Sequence, residues 1–395
     1  MNLSVLLSPE IKTYIQQNTG MDVNKLALQK NPFLDVDFKI ILNQIEARTK
    51  SKEKLPTWFN TQNIIFPSKI SVEQTSSEIT AQYKSKLISG DSLIDLTGGF
   101  GVDDYYFSQK VKQLVHCEIN TELAEIVEHN FQQLNCTNIN CFSGDSSDFL
   151  TQNTTKFDWI YIDPSRRNDA KGKVFMLKDC LPNVPDLLDF YFNYSERILI
   201  KTAPILDITA GLSELKNVKE IHIVAVENEV KELLWIIEKD FQNSIVIKTI
   251  NITKPKTYSF DFQHDYESEP NYSLPQKYLY EPNSAIMKSG GFDAICGQFP
   301  LYKLHKNSHL YTSNERIDFP GRIFEIEHSF DYSKKSMKEF LEQKKANITT
   351  RNFPETVENI RKKWKIKDGG DSYCFFTTNQ NNDKIVLLCA KLNSP

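Results

Sequence analysis

Between residues 92 and 238 the chain alternates short apolar runs with amphipathic stretches. The runs at 92–96, 112–117, 138–142, 157–162, 196–201 and 219–226 have the length and β-branched content of buried strands. Between the second and third, Leu123, Ile126, Val127, Phe131 and Leu134 fall on one face of a helix. Apolar strands separated by amphipathic helices predict a parallel sheet covered on both faces, an α/β fold of Rossmann-like type. VENEVKELLWII then leaves too little chain for a helical crossover before a strand at 232–238, so the final pairing is expected to be antiparallel.

The flanks read differently. Residues 1–70 look helical and irregular, with a break at KLPTWF, where proline disfavours helix in the residue before it. In SVEQTSSEITAQYKSKLISGD, Thr75 and Glu78 have capping-box spacing, Ile79, Tyr83 and Leu87 recur at i, i+4 and i+8, and Gly90 sits where a terminating glycine belongs. After about residue 255 periodicity fades, with five prolines between Lys254 and Pro300. Order returns in RNFPETVENIRKKWKIKDGG, which predicts a helix starting at Pro354 with Val357, Ile360 and Trp364 inward. SYCFFTT and KIVLLCAK read as a hairpin.

Composition narrows the class. The chain has 395 residues, 40% hydrophobic and 25% charged, enough apolar mass for two or three domains. Its seven cysteines include no CxxC pair, so neither a disulfide framework nor a metal site is expected, and a reducing cytoplasm fits. The start, MNLSVLLSPEIK, has no basic leader, and its apolar run is far short of the ~20 residues of a membrane span. Net charge is −4, but Asp331 to Lys367 carries eleven Lys or Arg against five Asp or Glu, a balance of +6 that leaves −10 elsewhere. A basic end beside an acidic body is either a footprint for a polyanion or a solvated helix surface.

The stretch LIDLTGGFGVD places an acid at the end of the first strand and three glycines in the next six residues. Bare backbone there allows a tight turn and close approach of a nucleotide-type ligand. A dinucleotide asks for G-x-G-x-x-G, and Gly99-Phe-Gly101 is followed by Val102, Asp103 and Asp104. Pyrophosphate would also meet two acids at a helix N-terminus. S-adenosylmethionine asks instead for acids at successive strand ends: Asp95 for the ammonium, Glu118 for the ribose hydroxyls and Asp145 for the adenine amine, with Thr97, Gly98, Gly99 and Gly101 under the amino-acid portion. Taken singly, each acid also reads as a turn or cap residue.

The fourth strand ends in DWIYIDPSRR. There the sequence resembles the class I S-adenosylmethionine-dependent methyltransferases, whose fourth motif is an acid–proline pair in enzymes acting on amino nitrogens. DLTGGFGVD, EQTSSEITAQYK, IDPSRR, GRIFEIE (Gly321 to Glu327) and ITTRNFP (Ile348 to Pro354) resemble, more narrowly, the bacterial members carrying a THUMP-like C-terminal domain, and YLYEPNSAIMKSGGF resembles their small ferredoxin-like insert. The resemblance implies an N-terminal helical subdomain at 1–70, a class I methyltransferase sheet with a final antiparallel strand at 71–254, a linker and ferredoxin-like domain at 255–320, and a THUMP-like α+β domain at 321–395. It implies RNA as the partner, while the cysteine spacing and the short apolar run lead to the expectation of no metal and no membrane.

In that reading Asp163 and the carbonyl of Pro164 accept the hydrogens of an exocyclic amine and aim its lone pair. Where related enzymes place a small residue and an aromatic, this chain has Ser165 and Arg166, so a stacking or phosphate contact falls to Arg166 or Arg167, and an amino nitrogen is less firmly indicated. Lys201, ending the fifth strand in ILIKTAP, and Lys362, Lys363 and Lys365 are candidates for substrate phosphates, although Lys201 equally suits a strand-end lysine extending to solvent. No cysteine stands at strands four and five, which argues against attack on pyrimidine C5. The rival functions are methylation of a protein or small molecule, and binding of cofactor and RNA without turnover.

Overall fold

Every apolar run assigned to a strand between 92 and 238 is a strand in the computed structural model, which describes residues 3–33, 36–166, 176–254, 256–267 and 269–392. They are β1 (Ser92–Asp95), β2 (Gln113–Glu118), β3 (Ile139–Ser143), β4 (Trp159–Ile162), β5 (Arg197–Thr202), β6 (Val218–Val226) and β7 (Glu229–Glu238). The chain divides into one unit of Met1–Lys219 with Lys231–Asn243 and another of Glu220–Val230 with Ser244–Pro395.

In the first unit the strands run in the order β7-β5-β4-β1-β2-β3. Strands β1 to β5 are mutually parallel, and β7 pairs antiparallel with β5, from Arg197 opposite Glu238 to Thr202 opposite Leu233. All four residues of β4 are buried, as a central strand covered on both faces requires. Because β1 lies between β4 and β2, the crossovers leave in opposite directions from β1 and β4, and a crevice opens at their carboxyl ends.

The N-terminal residues are helical, and helix Phe38–Lys54 ends where Pro56 opens the next helix. Ile41, Ile45, Trp58 and Phe66 form its core, each fully buried side chain of this kind contributing about 1.5–3 kcal/mol. Helix Glu78–Ser85 departs from the sequence expectation. Its cap is Ser77, whose hydroxyl accepts from the Thr80 amide, while Glu78 turns away to accept from the Thr57 amide at 2.6 Å and from Tyr106 Oη at 2.7 Å. The buried face is Glu78, Thr80, Ala81, Lys84 and Ser85, and Ile79 is exposed. Gly90 does not end this helix: with φ of +117° it turns the chain into β1, where a Cβ would strike the Asp158 carboxylate.

The second unit adds β8 (Val246–Ile252), parallel to β6, and β9 (Thr257–Gln263), antiparallel to β8, neither of which was assigned from sequence. Its other sheet runs from Tyr302–Lys303 through β11 (Tyr311–Ser313), β10 (Tyr278–Pro282), β12 (Gly321–Asp331), β15 (Lys384–Leu392) and β14 (Ser372–Thr378) to β13 (Asn347–Thr350). The expected hairpin is the antiparallel pair β14–β15. Helix Val357–Trp364 starts after the Thr356 cap, two residues beyond Pro354, and buries Ile360 and Trp364. The Glu281 carboxylate, nearly buried, is held by Arg322 and Arg351, the latter at 2.9 Å.

On β6, Glu220 Oε2 lies 2.9 Å from His222 Nε2 and 2.9 Å from Lys248 Nζ on β8. The His222 contact, opposed by partial burial and joined by Lys248, lowers Glu220 from 4.5 to about 2. A depressed carboxyl stabilises fully above its unfolded value, and the stabilisation is lost as pH falls through the folded one. We expect the acid limb of the stability profile between about pH 4.5 and 2 to flatten in Glu220→Gln. Urea melts at stepped pH check this, and parallel limbs in the two proteins would refute it.

Candidate active site

At the end of β1, Asp95 is 2% exposed, and its Oδ1 accepts from the Thr97 amide at 2.7 Å and the Thr97 hydroxyl at 3.0 Å. The same hydroxyl oxygen accepts from the Asp163 amide at 2.7 Å, so one threonine fastens the glycine loop to the end of β4. On the other side the Gly98 amide bonds Cys117 O at 2.9 Å and the Gly99 amide bonds Glu118 Oε2 at 2.9 Å. The loop is therefore moored to β2, β4 and its own strand.

Two glycines have distinct reasons. A Cβ on Gly98 would lie 2.2 Å from the His116 ring, which packs directly beneath it. Gly99, at φ +58°, would place a Cβ near nothing but Thr97 O at 3.7 Å, so the backbone there presents an open face.

Below the loop, His116 Nδ1 is 2.5 Å from Asp104 Oδ2, and both side chains are fully buried. Burial raises Asp104 and lowers His116 from their ordinary values, each toward its neutral form. Burial, reinforced by Asp104, also raises Asp95. Asp104 occupies the place of the third glycine in a dinucleotide fingerprint; here helix Val102–Ser108 is joined to β2 by an Asp–His contact instead. Asp103 likewise points inward, accepting from Ser76 and Tyr161 hydroxyls at 2.8 Å each and lying 3.1 Å from Lys84 Nζ. The two acids thus do not confront a ligand at the helix start, contrary to the expectation from sequence, because each has a buried partner.

Lys84 is wholly buried, with its ammonium 2.9 and 2.8 Å from the two Glu232 oxygens on β7. Nearby, Lys201 on β5 forms an ion pair with Asp163 Oδ2. Burial works against the Lys201 charge, but Asp163, Asp103 and Glu232 outweigh it and hold the ammonium above its ordinary value. Lys201 is thereby a counter-ion of the site's own acids. Burial raises Glu232 despite Lys84 and Lys201, whereas for Asp103 burial is overcome by the same two lysines and its pKa falls. Lys84, Glu232, Ser76 and Tyr161 were not singled out from sequence, because a buried lysine on a helix or a glutamate in an apolar strand carries no local signature.

Facing outward at the strand ends are Glu118, which also accepts from the Asn120 amide at 2.7 Å, and Asp145, which caps helix Ser146–Gln152 through the Ser147 amide at 2.7 Å. Between them Ile119 is 72% exposed, an apolar surface the sequence reading passed over. Asp163 is part-exposed and followed by Pro164, and Ser165–Arg166 pairs antiparallel with Cys180–Leu181. Arg167 lies outside the described residues. Lys362, Lys363 and Lys365 belong to the second unit. There Lys363 Nζ is held by Glu355 at 3.0 Å and Tyr332 Oη at 3.1 Å, whereas Lys362 and Lys365 are exposed. Among the described residues no group of three or more His, Cys, Asp or Glu is placed to hold a metal, and no helix is long and apolar enough to cross a membrane.

Residues 278–320 match the model of a ferredoxin-like domain and residues 321–391 that of a THUMP domain-like family. A solved structure from Porphyromonas gingivalis W83, provisionally named a methyltransferase, is 31% identical over 99% of both chains, with a TM-score of 0.87. SMU.1697c of Streptococcus mutans, solved with SAH, is 15% identical over 41% of this chain and 96% of its own, with a TM-score of 0.31. TrmK of M. capricolum, also solved with S-adenosyl-homocysteine, is 17% identical over 41% and 68%, again at 0.31. At those scores neither bears on the chemistry of this chain. A comparison with curated proteins finds no match. The chain belongs to the class I S-adenosylmethionine-dependent methyltransferases with a THUMP-like C-terminal domain.

Removing Lys84 leaves Glu232 and Asp103 buried without their shared cation. Lys84→Ala should destabilise the first unit by about 3–5 kcal/mol, the range for breaking a buried ion pair from one side. Denaturant unfolding measures this, and a loss below about 1 kcal/mol would show that the contact does not hold the site together.

Proposed function

We propose that the chain transfers a methyl group from S-adenosylmethionine to RNA, at an amino nitrogen of a base. The observation that carries this reading is the Thr97 hydroxyl, which joins the glycine loop to the Asp163 amide and so fixes an acid–proline pair beside the cofactor cradle. The residues fit the cofactor: open backbone at Gly99 for its amino-acid portion, Glu118 for the ribose, Ile119 for a flat ring and exposed Asp145 for the adenine amine. When bound, the cofactor supplies an electrophilic methyl on a sulfonium.

The chain's own part is positioning. Lys201 holds Asp163 Oδ2, leaving Oδ1 to accept a hydrogen from the substrate amine. The Pro164 carbonyl is the second acceptor. Two acceptors in fixed positions draw the amine lone pair out of conjugation and aim it at the cleft. Asp95 contributes from beneath, by setting the hydroxyl orientation of Thr97. RNA is favoured over a protein or small molecule by the THUMP-like domain and by exposed Lys362 and Lys365.

Asp163→Ala should retain cofactor affinity while methyl transfer falls by about two orders of magnitude or more. Glu118→Ala should lose cofactor affinity by about 1 kcal/mol or more. Calorimetry with S-adenosyl-homocysteine, and nucleoside mass spectrometry of RNA from cells with each variant, separate the two effects. Unchanged nucleoside profiles on deletion of the protein would remove RNA as the substrate.

Neutralising Lys362 and Lys365 should weaken RNA binding and lower its log-log salt slope by roughly 0.7 per lost single-strand phosphate contact. Lys363→Ala should act mainly on local stability, because its ammonium is held by Glu355 and Tyr332. Filter binding across a salt series tests both, and equal slopes in the double variant and the parent would place RNA elsewhere.

A further inference from the structure

Helix Pro9–Asn18, helix Phe38–Lys54 and the segment 61–66 enclose a cavity of about 40 Å³ far in sequence from the glycine loop. Its polar lining includes Lys12, Gln16, Gln44, Arg48, Gln62 and Asn63, and no carboxylate is among its lining residues. Arg48 lies over the Phe59 ring at 4.4 Å, and its Nε is buried without a hydrogen-bond partner. Among the described residues no acid pairs with Arg48 or with Lys12, whose ammonium bonds only the Asn63 amide oxygen at 2.9 Å.

Arg48 is half-buried, with its Nε shielded from water and unsatisfied, and a shielded cationic donor favours an anion beside it because leaving it unpaired is costly. Burial here lowers the Arg48 pKa, as it does when no acid compensates. We propose that this cavity is an anion site and that its ligand is a phosphate group. Two cations without an acid match a dianion better than a single carboxylate. The volume admits a few water-sized groups, each needing roughly 10–15 Å³, which suits a tetrahedral oxyanion. The Gln16 and Gln62 side chains make no hydrogen bond among the described residues, so their amides are available as further donors, whereas Gln44 is engaged at both ends with Phe66. The arginine fork supplies two parallel donors to such a group. The site does not arise from a general positive field, since the chain outside 331–367 carries −10.

The site is also moored to the methyltransferase fold. Asn63, which carries the Lys12 contact, has φ of +61°, and its carbonyl lies 2.9 Å from His129 Nε2 on helix Thr121–Gln133, the helix that follows Glu118.

Titration of the full chain with inorganic phosphate, followed by calorimetry and by phosphorus NMR line broadening, tests the proposal. The parent should bind phosphate, and Arg48→Gln should bind about tenfold or more weakly, the loss of one charge-assisted contact. Lys12→Met and Gln62→Ala, at the cavity wall, provide the same reading should Arg48→Gln fail to fold, as judged by circular dichroism. Displacement of phosphate by a short 5′-phosphorylated oligoribonucleotide, whose terminal monoester is a dianion, would identify a nucleic-acid end as the source; phosphate binding that this oligonucleotide leaves intact would identify the free ion. No phosphate binding by the parent, or equal binding by the parent and every folded variant, would overturn it. Acetate binding as tightly as phosphate would also overturn it.

Discussion

A lysine ammonium with no exposed surface has to be surrounded by acids, and Lys84 sets the geometry around itself accordingly. Glu232 reaches it from β7, Asp103 from the first turn after the glycine loop, and Ser76 from the residue before the cap of its own helix. Three segments far apart in sequence are thereby fixed to one atom. Tyr161, on β4, adds its hydroxyl to Asp103 and brings the strand that carries Asp163 into the same arrangement. The glycine loop is shaped from below by this cluster and by the Asp104–His116 contact. Its open face above Gly99 is a consequence of how firmly the lower face is held.

That foundation explains why the acids of the motif differ in role. Asp95, Asp103 and Asp104 are turned inward and hold backbone or side chains of the fold. Glu118, Asp145 and Asp163 lie at the crevice; Asp145 and Asp163 each have one oxygen engaged by the protein, whereas Glu118 accepts a backbone amide at each oxygen. Asp145 is both helix cap and crevice residue, because a cap engages one carboxylate oxygen and leaves the other outward. The two readings considered for it from sequence are compatible.

The strands between 92 and 238 were legible because a buried parallel strand must be apolar on both faces, and the final antiparallel pairing followed from chain length alone. The helix before β1 was read on the wrong face. Ile79 and Tyr83 have helical spacing, but the face that packs inward carries Glu78 and Lys84, whose burial depends on Thr57, 21 residues away, and Glu232, 148 residues away. No local pattern encodes a partner at that distance. The capping box failed for the same reason, since Glu78 gains more from Thr57 and Tyr106 than from an amide of its own turn. Strand β8 was hidden because it does not alternate cleanly, with buried Thr249 and Asn251 among its apolar positions, whereas β9 does alternate, with Tyr258, Phe260 and Phe262 on one face, and was passed over.

Charge counted along a window also needs the structure before it becomes a field. The segment from Asp331 to Lys367 has a formal +6, yet Arg351 is paired with Glu281 and Arg361 with Asp368, both outside the window. Those two acids take the effective balance to +4, although neither belongs to the window. Lys363 pairs within the window with Glu355, so its charge was cancelled in the sum but its position on the helix was not. A phosphate backbone responds to cations that are exposed and unpaired, because paired ones are largely neutral beyond a Debye length of about 8 Å. On helix Val357–Trp364 and the cap that follows it, this leaves Lys362 and Lys365 as the positions from which a polyanion would feel the segment.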